Sequence, residues 1–137
     1  MRPVRGESGA AMVEYALTAL LFTTLLIFIA DGSRIFWNFI TVTYAARAGA
    51  RCGITHGSKS VLPAGPGRDA GLRQVVLDAA PGLDPARVTI TVDWSPDNTP
   101  GSWINVTVTY QTQPVTGLFW GGQMVTLRGE SSMIIEH

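Results

Sequence analysis

Between Ala16 and Ala30 the chain reads ALTALLFTTLLIFIA, with no charged residue. Nine of these fifteen are Leu, Ile or Phe, each favouring transfer into lipid by about 0.3–0.6 kcal/mol, so together they contribute roughly 3–5 kcal/mol. That easily carries Thr18, Thr23 and Thr24, whose hydroxyls can bond back to helix carbonyls. Extended to Ala10, the run has twenty-one residues, about 31 Å as helix, which matches the hydrocarbon core of a bilayer. A removable secretory signal is the competing reading, because Arg2 and Arg5 would make its basic start. The run is long for that, however, and no small-residue cleavage site follows it closely. A retained single-pass anchor is therefore expected. Arg2 and Arg5 precede the run and a balanced Asp31/Arg34 follows it. The positive-inside bias then puts the N-terminus in the cytoplasm and everything after Asp31 outside.

The helical pattern continues past the membrane. Phe36, Phe39, Thr43, Ala46 and Ala50 fall on one helical face, and Trp37, Ile40 and Tyr44 on another. Both faces should meet neighbours. Arg47 and Arg51 suit a helix C-terminus, and Gly53 is expected to end the helix. A helix over 10–52 would be on the order of 60 Å long. The small residues of AARAGAR near its end permit close backbone approach.

Residues 53–67, GITHGSKSVLPAGPG, read as a Gly/Pro/Ser-rich connection. A short amphipathic helix is predicted from about Asp69 to Ala80, with Leu72, Val76 and Ala79 inward and Pro81 as its stop. Three strands should follow. RVTITVDW places Val88, Ile90, Val92 and Trp94 on one side, and WINVTVTYQT does the same with Ile104, Val106, Val108 and Tyr110. The third, QMVTLRGESSMIIE, carries Gly129, where a bulge or bend is expected. The fold class is α+β: a long N-terminal transmembrane helix running into a small outer domain with a short helix and a three-stranded antiparallel sheet. The exposed half of the long helix would cover one face of that sheet.

Composition excludes several functions. Ten basic and ten acidic residues give no net charge, so no field points to nucleic acid. A single cysteine, Cys52, rules out an internal disulfide; it reads as a small buried residue, with a redox, metal or lipid role as the minor alternative. His56, in the loop, and His137, the last residue, read as surface residues. GPGRDAG at 65–71 has phosphate-loop glycines but no preceding strand, and reads as linker. The sequon at Asn105-Val106-Thr107 falls mid-strand. Asp93 and Asp97 lack a third oxygen ligand, so no metal is expected. Trp94 and Trp103 flank one turn and could form a binding face or simply pack across the strands. Nothing here argues for catalysis, and no cofactor is expected.

Glu14 remains. A carboxylate within a lipid-facing helix is costly and is by default a functional group awaiting a partner. The plain alternative is an acid resting in the headgroup layer, and helix physics alone leaves both open.

The surrounding string bears on that choice. GAAMVEY, with Gly9, then Val13-Glu14-Tyr15-Ala16-Leu17, resembles the processing site of type IV prepilins, specifically the tight-adherence (Flp) branch. Together with Asp31-Gly32-Ser33-Arg34 and the AARAGAR close at 45–51, it resembles the N-terminal module of the TadE-like pilus-assembly family. The C-terminal RGESSMIIE is also similar to that family's last strand. Two departures stand out: the early membrane-helix proline is absent, with Ala19 and Leu20 in that region, and Asp31 stands where Glu is commoner.

The resemblance implies a chain divided into a basic leader (1–9), a transmembrane helix (10–31), its extracytoplasmic continuation (32–52), a linker (53–68) and a small α+β outer domain (69–137). It implies a minor pilin or pseudopilin, without catalysis, located in the inner membrane and possible to incorporate in a surface pilus. A prepilin peptidase would cut between Gly9 and Ala10. Glu14 with Tyr15 would then form an assembly contact, Glu14 meeting the α-ammonium of a neighbouring subunit. Asp31 and Arg34 would mark the membrane exit. The implied partners are the membrane, the peptidase, a major Flp-type pilin, a second minor pilin and the assembly platform. The reading from another class is an unprocessed membrane-anchored binding module, indifferent to Glu14 and recognising a ligand through Trp94 and Trp103.

Overall fold

The computed structural model describes residues 7–61, 63–117 and 121–136. Arg2 and Arg5 of the basic leader, and His137, lie outside these residues. The first helix, α1, spans Glu7–Thr55. Its 49 residues make an unbroken rod of about 73 Å. A short helix α2 (Ala70–Asp78) follows, then strands β1 (Val88–Ser95), β2 (Trp103–Thr112) and β3 (Val125–Ile134). The sheet is antiparallel in the order β1-β2-β3. The α+β architecture expected from the alternation and helical periods is the one observed.

The sheet buries one face against α1 and α2. Ile90, Ile104, Val106, Val108, Tyr110 and Leu127 face inward and meet Val42, Ala45, Ala46, Ala50, Leu72 and Val76. The alternation in β1 and β2 that placed these residues on one side holds. Leu72 and Val76 are almost wholly buried, so each contributes about 1.5–3 kcal/mol. Arg73 ties α2 to the sheet by donating to the Ile90 carbonyl at 3.0 Å.

Three expectations are corrected. The buried face of α1 keeps the expected Ala46 and Ala50 but leaves Phe36 and Phe39 exposed, as it does the second expected face of Trp37, Ile40 and Tyr44; it runs instead through Asp31, Asn38, Val42, Ala45, Gly49 and Gly53. Small residues win this face because the sheet comes too close for aromatic rings. Gly53 does not end the helix. It lies within it, and a Cβ there would collide with Ile104. Gly129 makes no bulge: it pairs with Val108 in a continuous ladder. A Cβ on it would sit 2.8 Å from the Thr43 Cα and the Val42 carbonyl oxygen. Glycine is needed there so that β3 can lie directly on the helix backbone.

These contacts set the course of β2. Gly53 meets Ile104, Gly49 meets Val106, and the Val42–Thr43 backbone meets Gly129 opposite Val108. At the far end of the strand, the buried Asn38 amide donates to Thr112 Oγ1 at 3.1 Å. The strand therefore runs back down α1, toward the apolar segment.

Candidate functional site

Two places on α1 carry the residues that the sequence singles out. The first is the start of the apolar run. Gly9 and Ala10 lie in the opening turns of α1, and nothing stands within 4 Å of a Cβ placed on Gly9. From there to Ala30 the described side chains are exposed, Ile27 alone being half-buried, and none of the most apolar window is covered by the rest of the chain. This helix is long and apolar enough to cross a membrane. Such a length of uncovered apolar helix fits a single-pass anchor, since water would not tolerate it.

Glu14 lies on this exposed surface, and no ion pair reaches it among the described residues. Its backbone carbonyl accepts the Thr18 hydroxyl at 2.9 Å, which removes one polar group from the lipid-facing surface. Ala11, Glu14, Tyr15, Thr18, Ala19 and Phe22 border a shallow groove of about 510 Å³. Ala11, Thr18 and Ala19 are small, and Tyr15 and Phe22 rise beside them. Small residues on one face of a membrane helix let a second helix approach closely, and a carboxylate among them supplies a polar contact for it.

The second place is the membrane exit. Asp31 is buried, although it lies on the last turn of the apolar run. Its carboxylate accepts the Val115 N–H at 3.2 Å, the Thr116 N–H at 3.4 Å and the Thr116 hydroxyl at 2.6 Å. Three donors thus hold the β2–β3 connection onto α1. Arg34 is exposed one turn on, and the structure gives Asp31 these partners in place of a direct ion pair with it. Sequence reasoning missed Thr116 and Asn38: their partners lie 85 and 74 positions away, and no local pattern signals such a pairing.

The other candidates find structural roles. Trp94 and Trp103 do not share a face. Trp94 pairs with Ile104 and is partly buried, whereas Trp103 pairs with Ser95 and points outward, 51% exposed. The Asn105 side-chain amide donates to Glu130 at 2.7 Å across the sheet. His56 is half-buried and not a free surface residue. Its Nδ1 lies 2.8 Å from the Cys52 carbonyl, and since a carbonyl only accepts, that nitrogen donates. Burial pushes the Cys52 thiol above its ordinary value, which disfavours the reactive thiolate. Among the described residues no cluster of His, Cys, Asp or Glu could hold a metal ion.

Asp97 closes the β1–β2 turn, accepting from the Thr99 N–H at 2.9 Å and from the Thr99 and Ser102 hydroxyls. These donors, the Thr99 hydroxyl first, hold its carboxyl below the usual carboxylate range. A depressed carboxyl stabilises the turn above the unfolded value of about 3.9, and the contribution is lost as pH falls through the lowered folded value. In a carboxyl-detected NMR titration, Asp97 is expected to show a midpoint below the ordinary aspartate value of about 3.9, and Asp97→Asn should abolish the low-pH change at the Thr99 amide.

Comparison with known proteins bears on α1, which carries both places. No curated protein and no solved structure matches the chain. A family model described as TadE-like protein matches residues 9–51, that is, α1 from Gly9 to Arg51. This family points to tight-adherence pilus assembly and to association with the membrane and the pilus machinery. From Gly9 to Arg51, the chain is similar to the TadE-like family.

Proposed function

We propose that this chain is a minor pilin or pseudopilin acting in the assembly of a tight-adherence pilus. A prepilin peptidase cuts it after Gly9. The observation that carries the reading is the coincidence of the TadE-like match, which begins at Gly9, with an uncovered apolar helix holding a carboxylate, Glu14, that no ion pair reaches among the described residues. Cleavage breaks the Gly9–Ala10 peptide bond with water and leaves an α-ammonium on Ala10. The scissile bond lies in the opening turns of α1, so these turns must unwind to enter a protease. Gly9 eases that step, because it has the least steric preference for helix over extended backbone.

In the mature chain Glu14 is the fifth residue, and its carboxylate pairs with the α-ammonium of a neighbouring subunit. The small-residue groove around it brings the two helices together. Paired inside a helix bundle, the acid sets the register between subunits. The basic leader keeps the N-terminus cytoplasmic until cleavage and the outer domain stands on the opposite side of the inner membrane. The chain performs no catalysis of its own. The other partners are a major Flp-type pilin, a second minor pilin and the assembly platform. An unprocessed binding module is the weaker reading, because its two tryptophans lie on opposite faces of the sheet.

Intact mass of the purified chain, with and without a co-expressed prepilin peptidase, tests the proposal. The expected mature chain begins at Ala10 only when the peptidase is present. A chain that still begins at Met1 with an active peptidase would overturn it.

A further inference from the structure

The contacts along α1 fix how far the outer domain reaches toward the bilayer. From Gly53 to Asp31 the helix descends by about 33 Å. From Ile104 to Thr112 the strand descends beside it by about 26 Å, and residues 113–115 carry the chain on to Asp31. The two paths are pinned at Gly53–Ile104, Gly49–Val106, Asn38–Thr112 and finally Asp31–Val115/Thr116. Val115 and Thr116 therefore lie level with Asp31, where the apolar run stops.

The chemistry of that end differs from the rest of the domain. Residues 111–127 contain no Asp, Glu, Lys, Arg or His. Val115 is 66% and Met124 56% exposed, so both apolar side chains present most of their surface outward. At nearly the same level, α1 exposes Phe36 and Trp37. An aromatic with one polar edge is the side chain that favours a membrane–water boundary. The opposite end of the sheet, by contrast, carries Asp97 in a hydrogen-bonded polar turn. With residues 10–30 filling the hydrocarbon core, Val115 meets the outer headgroup layer, and a span shifted outward along α1 sets it deeper.

We propose that Val115 and Met124, which flank β2 and β3 at this end, make a second membrane contact, a foot that rests in the headgroup–acyl boundary of the bilayer that α1 spans. The Asp31 carboxylate holds the foot down, and its three hydrogen bonds also shield that charge at the lipid boundary, where an unpartnered acid is costly. The proposal rests on α1 spanning the membrane, but not on cleavage or on pilus assembly.

The test uses the full chain in phosphatidylcholine–phosphatidylglycerol vesicles, with Cys52→Ser and a single environment-sensitive fluorophore on Val115→Cys, Leu21→Cys or Pro100→Cys. Quenching by spin-labelled lipid is compared with quenching by aqueous iodide. At Val115 the expected lipid-to-iodide ratio exceeds that at Pro100 by about fivefold or more, as for side chains buried ~5–10 Å into the interface. Adding Thr116→Val should lower it toward the Pro100 value. Iodide quenching at Val115 equal to that at Pro100 would overturn the foot. Protection from both quenchers would overturn it too, since a second copy or another protein would then cover the surface. If Leu21 also escapes lipid quenching, the membrane span itself fails and takes the foot with it, an outcome distinct from loss of lipid contact at Val115 alone.

Discussion

Gly129→Ala is expected to separate the sheet from the long helix. The added methyl would stand 2.8 Å from the Thr43 Cα and the Val42 carbonyl oxygen. Both are backbone atoms of a continuous helix, so no rotamer change relieves the clash, and either α1 or β3 must move. Overpacking of this kind costs about 3 kcal/mol, a large share of the margin by which a small domain is folded. The outer domain should lose at least about 10 °C in its melting temperature, followed in detergent by near-ultraviolet circular dichroism. Gly71→Ala is the control. That glycine lies in α2 with nothing within 4 Å of a Cβ, and alanine there should stabilise by about 0.5 kcal/mol. A Gly129→Ala chain that melts with the wild type would show that the helix and sheet do not pack this closely.

Glu14→Leu should leave membrane insertion intact and stop assembly. Leucine is favoured in the apolar helix where a carboxylate is disfavoured, so the variant should reach the membrane at least as well as the parent. On the proposed pairing, it loses the partner of a neighbouring α-ammonium, which would be left uncompensated among apolar helices. Breaking one side of such a pair lowers association by on the order of a hundredfold. The readouts are the membrane level of the variant and its recovery in sheared pilus fractions, or co-purification with the other pilins. Normal insertion with normal assembly would refute the pairing. A variant that fails to insert would instead place the role of Glu14 in targeting.

Much of this architecture was legible from periodicity alone. Strict alternation in 88–94 and 104–110 named the inward residues of β1 and β2, because a half-buried strand has no other way to hide its apolar side chains. The anchor was legible from fifteen charge-free residues. The orientation of α1 was not. Phe36 and Phe39 have helical spacing and large apolar surface, and hydrophobicity favours them as the core face. Packing distance decided otherwise: where β3 lies on the helix backbone through Gly129, the face that fits is the one with Gly49, Gly53 and alanines. Gly53 misled for the same reason, since a glycine after a basic turn signals a helix end as well as a close approach. Trp94 and Trp103 illustrate a third limit. Their separation in sequence says nothing of strand register, and one residue of register decides whether two rings share a face. In the candidate site, the proposal for Gly9 and Glu14 rests on local sequence. The hold on Asp31 could not, because its donors arrive from the far end of the sheet.

The way β2 returns along α1 has a mechanical consequence. A pull on the N-terminal end of the helix, while the sheet is held, does not peel the two apart one contact at a time. Helix and strand lie side by side from Gly53–Ile104 down to Asp31–Thr116, so the load falls on all of these contacts at once, in shear. The hydrogen bonds of Asp31 lie at the loaded end, where separation would otherwise begin. A subunit drawn from the bilayer by its helix would therefore carry its outer domain along as a folded body, and the domain would resist tension better than its modest core suggests.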